Sequence, residues 1–450
     1  MSAKEHYHPP SVPRPLIDLI PPELWSTVFR HATEPVFAEY RFTGHEALDF
    51  ISGIDRDQLK EYRASLVTKR YLIRVCKAWY SIASPFLHEH VVLGTGRSVI
   101  PFRNALMRSR KQVGSGQSGM AIGWWTKRLD VSMRDKTEDP DEILSALTDI
   151  MASLSNLQIL IFSVKGQGYD IRKPLPPTTL RSLACRDTLK AIHWYNDHLH
   201  PAVDDWTSFL ETHPHLESIR GRFLLAPGNH VKLESLKTIY QCSHPKTSQN
   251  LQDFNLTSVR QAVYHIGITL DPASSFNHAF FSAVGSQLRI IQIDCLEGAY
   301  LEDFHQAFSE IEQKCHNLCE IHFNLCAWSV FNSCIPGNRF PPSVKGLGIR
   351  VTGTTISNVD IRTLFTQSLP AVLSLNTHVK TIQIMNQGTI RALQGHPRAL
   401  ARGMDQVASL GEMYEPYLTV VQDENITLDI STITLLMAQD VEQFFSVLKF

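Results

Sequence analysis

The sequence has little charge and no excess of either sign. Asp, Glu, Lys and Arg together make up 19% of its 450 residues, below the roughly 25% usual in soluble proteins. Lys and Arg number 43 against 44 Asp and Glu, a net charge of −1. That balance excludes a general nucleic-acid binder, which works through a basic excess, and a polybasic membrane-surface protein. There is also no apolar run approaching the roughly 18 residues that a membrane-spanning helix needs. Met1 to Pro15 is polar and Pro-rich, without the apolar stretch of a secretory signal. A soluble intracellular protein, cytoplasmic or nuclear, is expected, with neither nucleic acid nor membrane as partner.

Cysteine is sparse as well. Eight Cys in 450 residues is far from the density of a disulfide scaffold. Asn255-Leu256-Thr257 and Asn425-Ile426-Thr427 match the glycosylation acceptor pattern; without a secretory signal they read as chance matches. The sequence has no Walker loop, zinc-protease helix, kinase signature or Gly-x-Ser-x-Gly elbow. Gly114-x-Gly116-x-x-Gly119 has the letters of a dinucleotide fingerprint, but it follows a basic polar run rather than a strand, and the motif has force only in a strand-turn-helix setting. Cys315, Cys319, His322 and Cys326 have spacings met in some zinc sites. Cys315 nevertheless occupies an apolar helix position, and Cys319, Ile321 and Phe323 alternate as on a strand, so buried free thiols are the expectation. No catalytic residue, cofactor or metal is predicted.

What the sequence does have is apolar patterning, with 43% hydrophobic residues, enough for a large core. Leu16 to Ala32 predicts a short helix entered through Pro21 and Pro22, where a missing N–H is harmless. Glu23 in its first turn complements the macrodipole, Leu24, Val28, Phe29 and Ala32 form one apolar face, and Pro35 closes the segment. Ser65 to Ala83 predicts a second helix. Leu72, Val75, Cys76, Trp79, Ile82 and Ala83 fall on a helical period, Lys69, Arg70, Arg74 and Lys77 lie largely off it, and Pro85 is the expected stop. Neither helix is stable alone, so the two are expected to pack on each other or on a partner.

These residues carry a resemblance. Leu19-Ile20-Pro21-Pro22-Glu23-Leu24-Trp25 with Val28-Phe29, and Leu72-Ile73-Arg74-Val75-Cys76-Lys77-Ala78-Trp79-Tyr80-Ser81-Ile82-Ala83, resemble the two halves of an F-box. The halves are separated by Thr33 to Arg70, where a compact F-box has a short connector. The resemblance is closest to fungal F-box proteins of mushroom-forming species, and Ser84-Pro85-Phe86-Leu87 through Leu93 resembles that group too. It implies that the box docks on the Skp-family adaptor of a Skp–cullin–F-box ubiquitin ligase. Carried over position by position, the docking residues are Pro21, Pro22, Glu23, Leu24, Val28, Phe29, Leu72, Val75, Cys76 and Trp79.

Beyond Val91, short apolar alternations recur every 20 to 35 residues or so, the span of repeat architectures. Leu154-Ser155-Asn156-Leu157-Gln158-Ile159-Leu160, His213 to Ile219, Gly285 to Ile291 and Cys315 to Ile321 superpose: a polar residue, then Leu, then Leu or Ile three positions on. Strand-like copies recur at Leu233 to Ile239, Val344 to Ile349 and Val379 to Ile384. Helices precede several of these. Asp139-Pro140-Asp141-Glu142 is a helix start, with Ile143, Leu144, Leu147, Ile150, Met151 and Leu154 on one face. Trp206, Phe209 and Leu210, and Leu301, Phe304, Phe308, Ile311 and Cys315, mark two more. Arg108 to Gly119 and Gln241 to Asn250 read as polar surface loops.

The expected fold class is α/β: a flexible N-terminus over 1–14, an F-box-like helical domain over 15–90 with an insertion at about 33–70, and over 91–450 an irregular leucine-rich-repeat-like solenoid with a loop at about 108–119. An ordinary α/β domain with a mostly parallel sheet is the structural alternative. The expected function is that of a non-catalytic substrate receptor, binding the adaptor through the box and an unidentified target protein through the repeat body. A scaffold outside any ligase and an enzyme with an unrecognised site are the alternatives.

Overall fold

The structure, a computed structural model, describes residues 20–33, 56–114, 120–132, 140–162, 176–194, 201–220, 231–242, 256–266, 275–295, 301–351, 358–384 and 426–428. The expected N-terminal segment 1–14, the inserted stretch before Arg56, Asp139, and the loops at 115–119 and 243–250 lie outside these residues, as do Asn255 and Asn425. The chain is mixed α/β and divides into two compact units. Met1–Ile171 with Ser182–Thr188 form the first, and Arg172–Arg181 with Leu189–Phe450 form the second.

The first unit begins with α1 (Pro22–Thr33), α2 (Arg56–Val75) and α3 (Lys77–Glu89), which lead directly into β1 (His90–Leu93). It continues through α4 (Gly96–Gly114), α5 (Ile122–Trp125), β2 (Arg128–Val131), α6 (Pro140–Met151) and β3 (Ile159–Phe162). The three strands pair in parallel, with Val91 opposite Leu129 and Leu129 opposite Leu160. Ile143, Leu144, Leu147, Ile150, Met151 and Leu154 are all buried, as their helical spacing predicts. Arg103 of α4 donates to Asp149 of α6 at 2.6 Å.

Two expectations fail here for local reasons. Arg108 to Gly119 reads as a loop, yet α4 runs on to Gly114. Val99 and Leu106 bury its inner face, and the polar run is the solvated end of that helix, where no apolar period is required. Ser109 Oγ holds this end by accepting the backbone N–H of Ile122 at 3.0 Å. Nor does Pro85 stop a helix: α3 passes through it to Glu89. The ring forfeits one main-chain bond, but Phe86 next to it is buried, and Glu89 is held by Lys127 at 2.7 Å and Arg30 at 3.7 Å.

The second unit holds α7 (Pro177–Arg181), β4 (Ala191–Trp194), α8 (Val203–Glu211), β5 (Ser218–Arg220), β6 (Thr238–Cys242), β7 (Gln261–Ile266), α9 (Ser275–Val284) and β8 (Ile290–Cys295). There follow α10 (Leu301–Lys314), β9 (Glu320–Leu325), α11 (Trp328–Cys334), β10 (Gly346–Val351) and α12 (Asn358–Thr363). A π-helical turn at Leu364–Ser368 joins α12 to α13 (Leu369–Leu375), before β11 (Thr381–Ile384) and β12 (Ile426–Leu428). From β4 to β11 each strand pairs in parallel with the next in the chain; β12 pairs antiparallel with β11. Among these strands the order never reverses, so the sheet lacks the switch point at which doubly wound folds bind ligands.

One connection recurs along this sheet. Leu216, Leu236, Val259, Leu288, Leu318, Val344 and Val379 precede their strands, and all are buried. In each, the backbone N–H donates to the carbonyl three residues earlier. Three residues later comes the strand position Ile219, Ile239, Ala262, Ile291, Ile321, Leu347 or Ile382, apolar in every case. The carbonyls of Lys190, Glu217, Lys237, Arg260, Arg289 and Cys319 each accept two N–H groups from the start of the following strand, at 2.6–3.2 Å. The sequence copies at Leu216, Leu236, Leu288, Leu318, Val344 and Val379 all fall on this geometry. Val259-x-x-Ala262 is a further copy, hidden by the small Ala.

Helix side chains fill the space behind the strands. Phe308 lies 6.1 Å from Phe323 and 5.4 Å from Phe340, and Phe323 meets Phe331 at 5.9 Å. Asn376, at the end of α13, is fully buried. Its Oδ1 accepts the Phe340 N–H at 2.7 Å, and its Nδ2 donates to the carbonyls of Asn338 at 3.0 Å and Val372 at 2.9 Å. Asn376→Ala leaves these buried groups without their partner. The expected loss is about 2–3 kcal/mol of unfolding free energy, read as a lower urea midpoint at unchanged slope.

Candidate docking site on the N-terminal helices

Pro21 starts α1 by presenting its carbonyl to the N–H groups of Leu24 and Trp25, at 3.0 and 3.3 Å. The helix then points two faces in different directions. Phe29 and Thr33 face inward and are buried, while Leu24 and Val28, one turn apart, remain 56% and 53% exposed. Ser65 of α2 closes the far end of α1 by donating its hydroxyl to the Thr33 carbonyl.

The helix predicted over Ser65 to Ala83 is in fact two. Cys76 is extended, with φ −162° and ψ 170°, and caps α3: its Sγ accepts the Trp79 N–H at 3.5 Å. The chain turns at this point, which lets Leu72 and Ile73 from α2 and Trp79, Ile82, Ala83 and Phe86 from α3 converge on Phe29. One straight helix would spread those residues over about 20 Å at 1.5 Å per residue. The core is aromatic: Trp79 stands edge-on to Phe29 at 4.8 Å and lies 5.1 Å from Trp25, and Arg30 covers the Phe86 ring at 5.1 Å.

The structure therefore sorts the ten residues named above. Leu24, Val28 and Val75 are exposed and apolar. Pro21, Pro22, Glu23 and Cys76 are exposed at helix starts. Trp79 and Leu72 are half-buried and support the cluster from within. Phe29 is inside it, so its part is to hold the helices together rather than to meet a partner. Pattern reading missed three exposed apolar residues, Val67, Tyr71 and Tyr80. Val67 and Tyr71 stand at four-residue spacing ahead of Val75, a signal present in the sequence but masked by the stronger stripe beside it.

A buried polar group fixes α2 against the first strands. Tyr62 donates its hydroxyl to the His90 carbonyl at 3.0 Å, and its ring lies tilted against the His90 ring at 5.0 Å. His90 Nε2 meets Asp130 Oδ2 at 2.5 Å, and Arg128 grips both oxygens of Asp130 at 2.9 and 3.1 Å. Burial pushes the Tyr62 hydroxyl well above its ordinary range. Burial, aided by Arg128, holds His90 below the ordinary His value against the pull of Asp130. Burial alone would raise Asp130, but Arg128 and His90 outweigh it and keep its carboxyl below the carboxylate range.

Candidate sites elsewhere are bonded internally. On the face of the second unit's sheet away from Ile291 and Ile293, Asp294 Oδ1 accepts from Gln292 Nε2 and, at 3.0 Å, from Asn324 Nδ2, while His322 pairs with Glu320 at 2.9 Å. Burial pushes Cys315 up to about 12, and Cys295, beside Cys326 and Cys334, likewise to about 12. Cys319 is exposed and Cys326 half-buried. Among the described residues no group of three or more His, Cys, Asp or Glu is placed to hold a metal ion, and no helix is long and apolar enough to cross a membrane. No protein-family model and no curated protein matches the chain.

A pH dependence follows. His90 has a folded value below its unfolded one near 6.5, so the stability it contributes is present above that pH and is lost as pH falls through the folded value. His88, lowered by burial, acts in the same direction. Asp130 adds a further loss only below about pH 4. The urea midpoint is expected to drop between pH 7 and pH 5. His90→Gln, which keeps a donor toward Asp130 but cannot titrate, is expected to make that drop smaller.

Proposed function

We propose that the chain is an F-box-type substrate receptor, with the N-terminal helices docking a Skp-family adaptor and the body presenting a surface to a target protein. The observation that carries this reading is the shared packing of two segments far apart in sequence. Trp25 and Phe29 of the first half and Trp79 of the second form one cluster, and around it Leu24, Val28 and Val75 stay exposed. These are positions that the F-box resemblance assigns to the adaptor. The described part of the inserted segment leaves all three open to solvent.

The energetics suit docking. Burying an exposed Leu or Val contributes about 1.5–3 kcal/mol of gross transfer free energy, so the three residues supply several kcal/mol, from which the loss of translational and rotational freedom is subtracted. A leucine-rich-repeat-like body is supported by the strand-entry connection, which has the Leu-x-x-Leu/Ile spacing of such units. Each unit buries its apolar side against its neighbours. On this reading the protein performs no chemistry of its own and acts in the cytoplasm or nucleus.

The test is co-purification of the full chain with a purified Skp-family adaptor. Wild type is expected to retain the adaptor, and Leu24→Asp with Val28→Asp to lose it. Both substituted side chains point to solvent, so thermal unfolding should be unchanged. Retention of the adaptor by the double variant, or failure of wild type to bind, overturns the reading.

A further inference from the structure

Val75, already placed in the docking surface above, is the last member of an apolar row on α2 whose other two members that reading does not use. Val67, Tyr71 and Val75 are 50%, 68% and 60% exposed and repeat every four residues, a stripe about 12 Å long on one side of the helix. Arg63, Arg70 and Arg74 are exposed as well, and their spacing of seven and four residues sets them in a parallel row beside it. From Tyr62 to Val75 the helix has no carboxylate, and of its four cations only Lys69 is buried. The orientation is fixed from the opposite side, where Tyr62 bonds the His90 carbonyl and Ser65 bonds the Thr33 carbonyl. The outward stripe is therefore not an accident of a loosely held helix.

We propose that this face of α2 extends the adaptor-docking surface, and that the protein segment it takes presents apolar side chains beside Asp or Glu carboxylates. The inference rests on the docking reading above. The chain as a whole has a net charge of −1, so a row of three exposed arginines is a local feature, and its complement is a local acidic one. Three apolar side chains in a narrow row match the edge of a protein groove. They fall short of the broad apolar face, rich in Trp, Phe and Leu, that carries an amphipathic helix into lipid. Two branched aliphatics and a Tyr between the arginines are likewise unlike the stacking platforms that hold single-stranded nucleic acid. Arg is suited to such a contact because its planar donors grip carboxylates in pairs.

The experiment measures the affinity of the purified full chain for a purified Skp-family adaptor at low and high salt, for wild type, Tyr71→Ala, and Arg70→Glu with Arg74→Glu. Phosphatidylserine-containing vesicles and a short RNA serve as parallel probes, and circular dichroism with thermal unfolding checks that each variant is folded. The expected result is a loss of about tenfold or more in affinity for each variant, with the salt dependence of wild type absent from the charge-reversed pair. Because the two variants probe different side chains, either one remains informative if the other is destabilised. Wild-type binding with unweakened variants overturns the role of α2 and leaves the docking reading standing. No binding by wild type overturns the docking reading, and this inference with it. Binding of vesicles or RNA that the variants lose, with adaptor binding unchanged, overturns the protein partner in favour of lipid or nucleic acid.

Discussion

A strand with apolar residues on one face must bury that face, and the described part of the second unit meets this requirement one strand at a time. The residue entering each strand of the second unit, from Leu216 to Val379, is buried beneath the sheet. Its N–H closes a turn onto the carbonyl three residues back, and the next connection is hydrogen-bonded to the one before it. From β4 to β11 the strand order follows the chain.

The same economy explains the N-terminal helices. A pair or trio of short amphipathic helices is marginal in isolation, and here they share one aromatic cluster around Phe29. That cluster uses the inward side chains of α1, α2 and α3 and leaves the outward ones without cover. Leu24, Val28, Val67, Tyr71 and Val75 are the residue: apolar side chains for which the fold has no further use. These ordered rows of exposed apolar side chains, with cations along one of them, are the surface that the proposed docking uses. The buried Tyr62–His90–Asp130–Arg128 group bears on this indirectly, since it holds the helix from which the Val67, Tyr71 and Val75 row projects.

Much of the fold was legible in the sequence. The helix start at Pro140, the buried face from Ile143 to Leu154 and the strand entries at Leu288 and Leu318 depend on spacing alone, and spacing is a local property. Copies with atypical residues were harder to read: Val259-x-x-Ala262 has the right geometry but too small a second member to register as a strand. The polar run after Leu106 misled for the opposite reason, because the solvated end of a helix has no apolar period to display. The residues proposed to dock were grouped by the F-box resemblance, which named Leu24, Val28 and Val75 together with Phe29 and Trp79.

Which of those residues face solvent was not legible. Leu72, Val75, Cys76, Trp79, Ile82 and Ala83 share one helical period, and nothing in that period separates the exposed from the buried. The separation is made by the extended backbone at Cys76, which turns α3 away from the line of α2 and sends Trp79 toward Phe29 while Val75 stays in solvent. It is made also by contacts between residues far apart in the chain, such as Tyr62 with His90 and Ser65 with Thr33. The sequence by itself determined which residues are apolar, at what period, and so which segments form helices and strands. The tertiary structure alone decided which side of each helix meets water, because that choice belongs to the neighbours a helix packs against and not to its own residues.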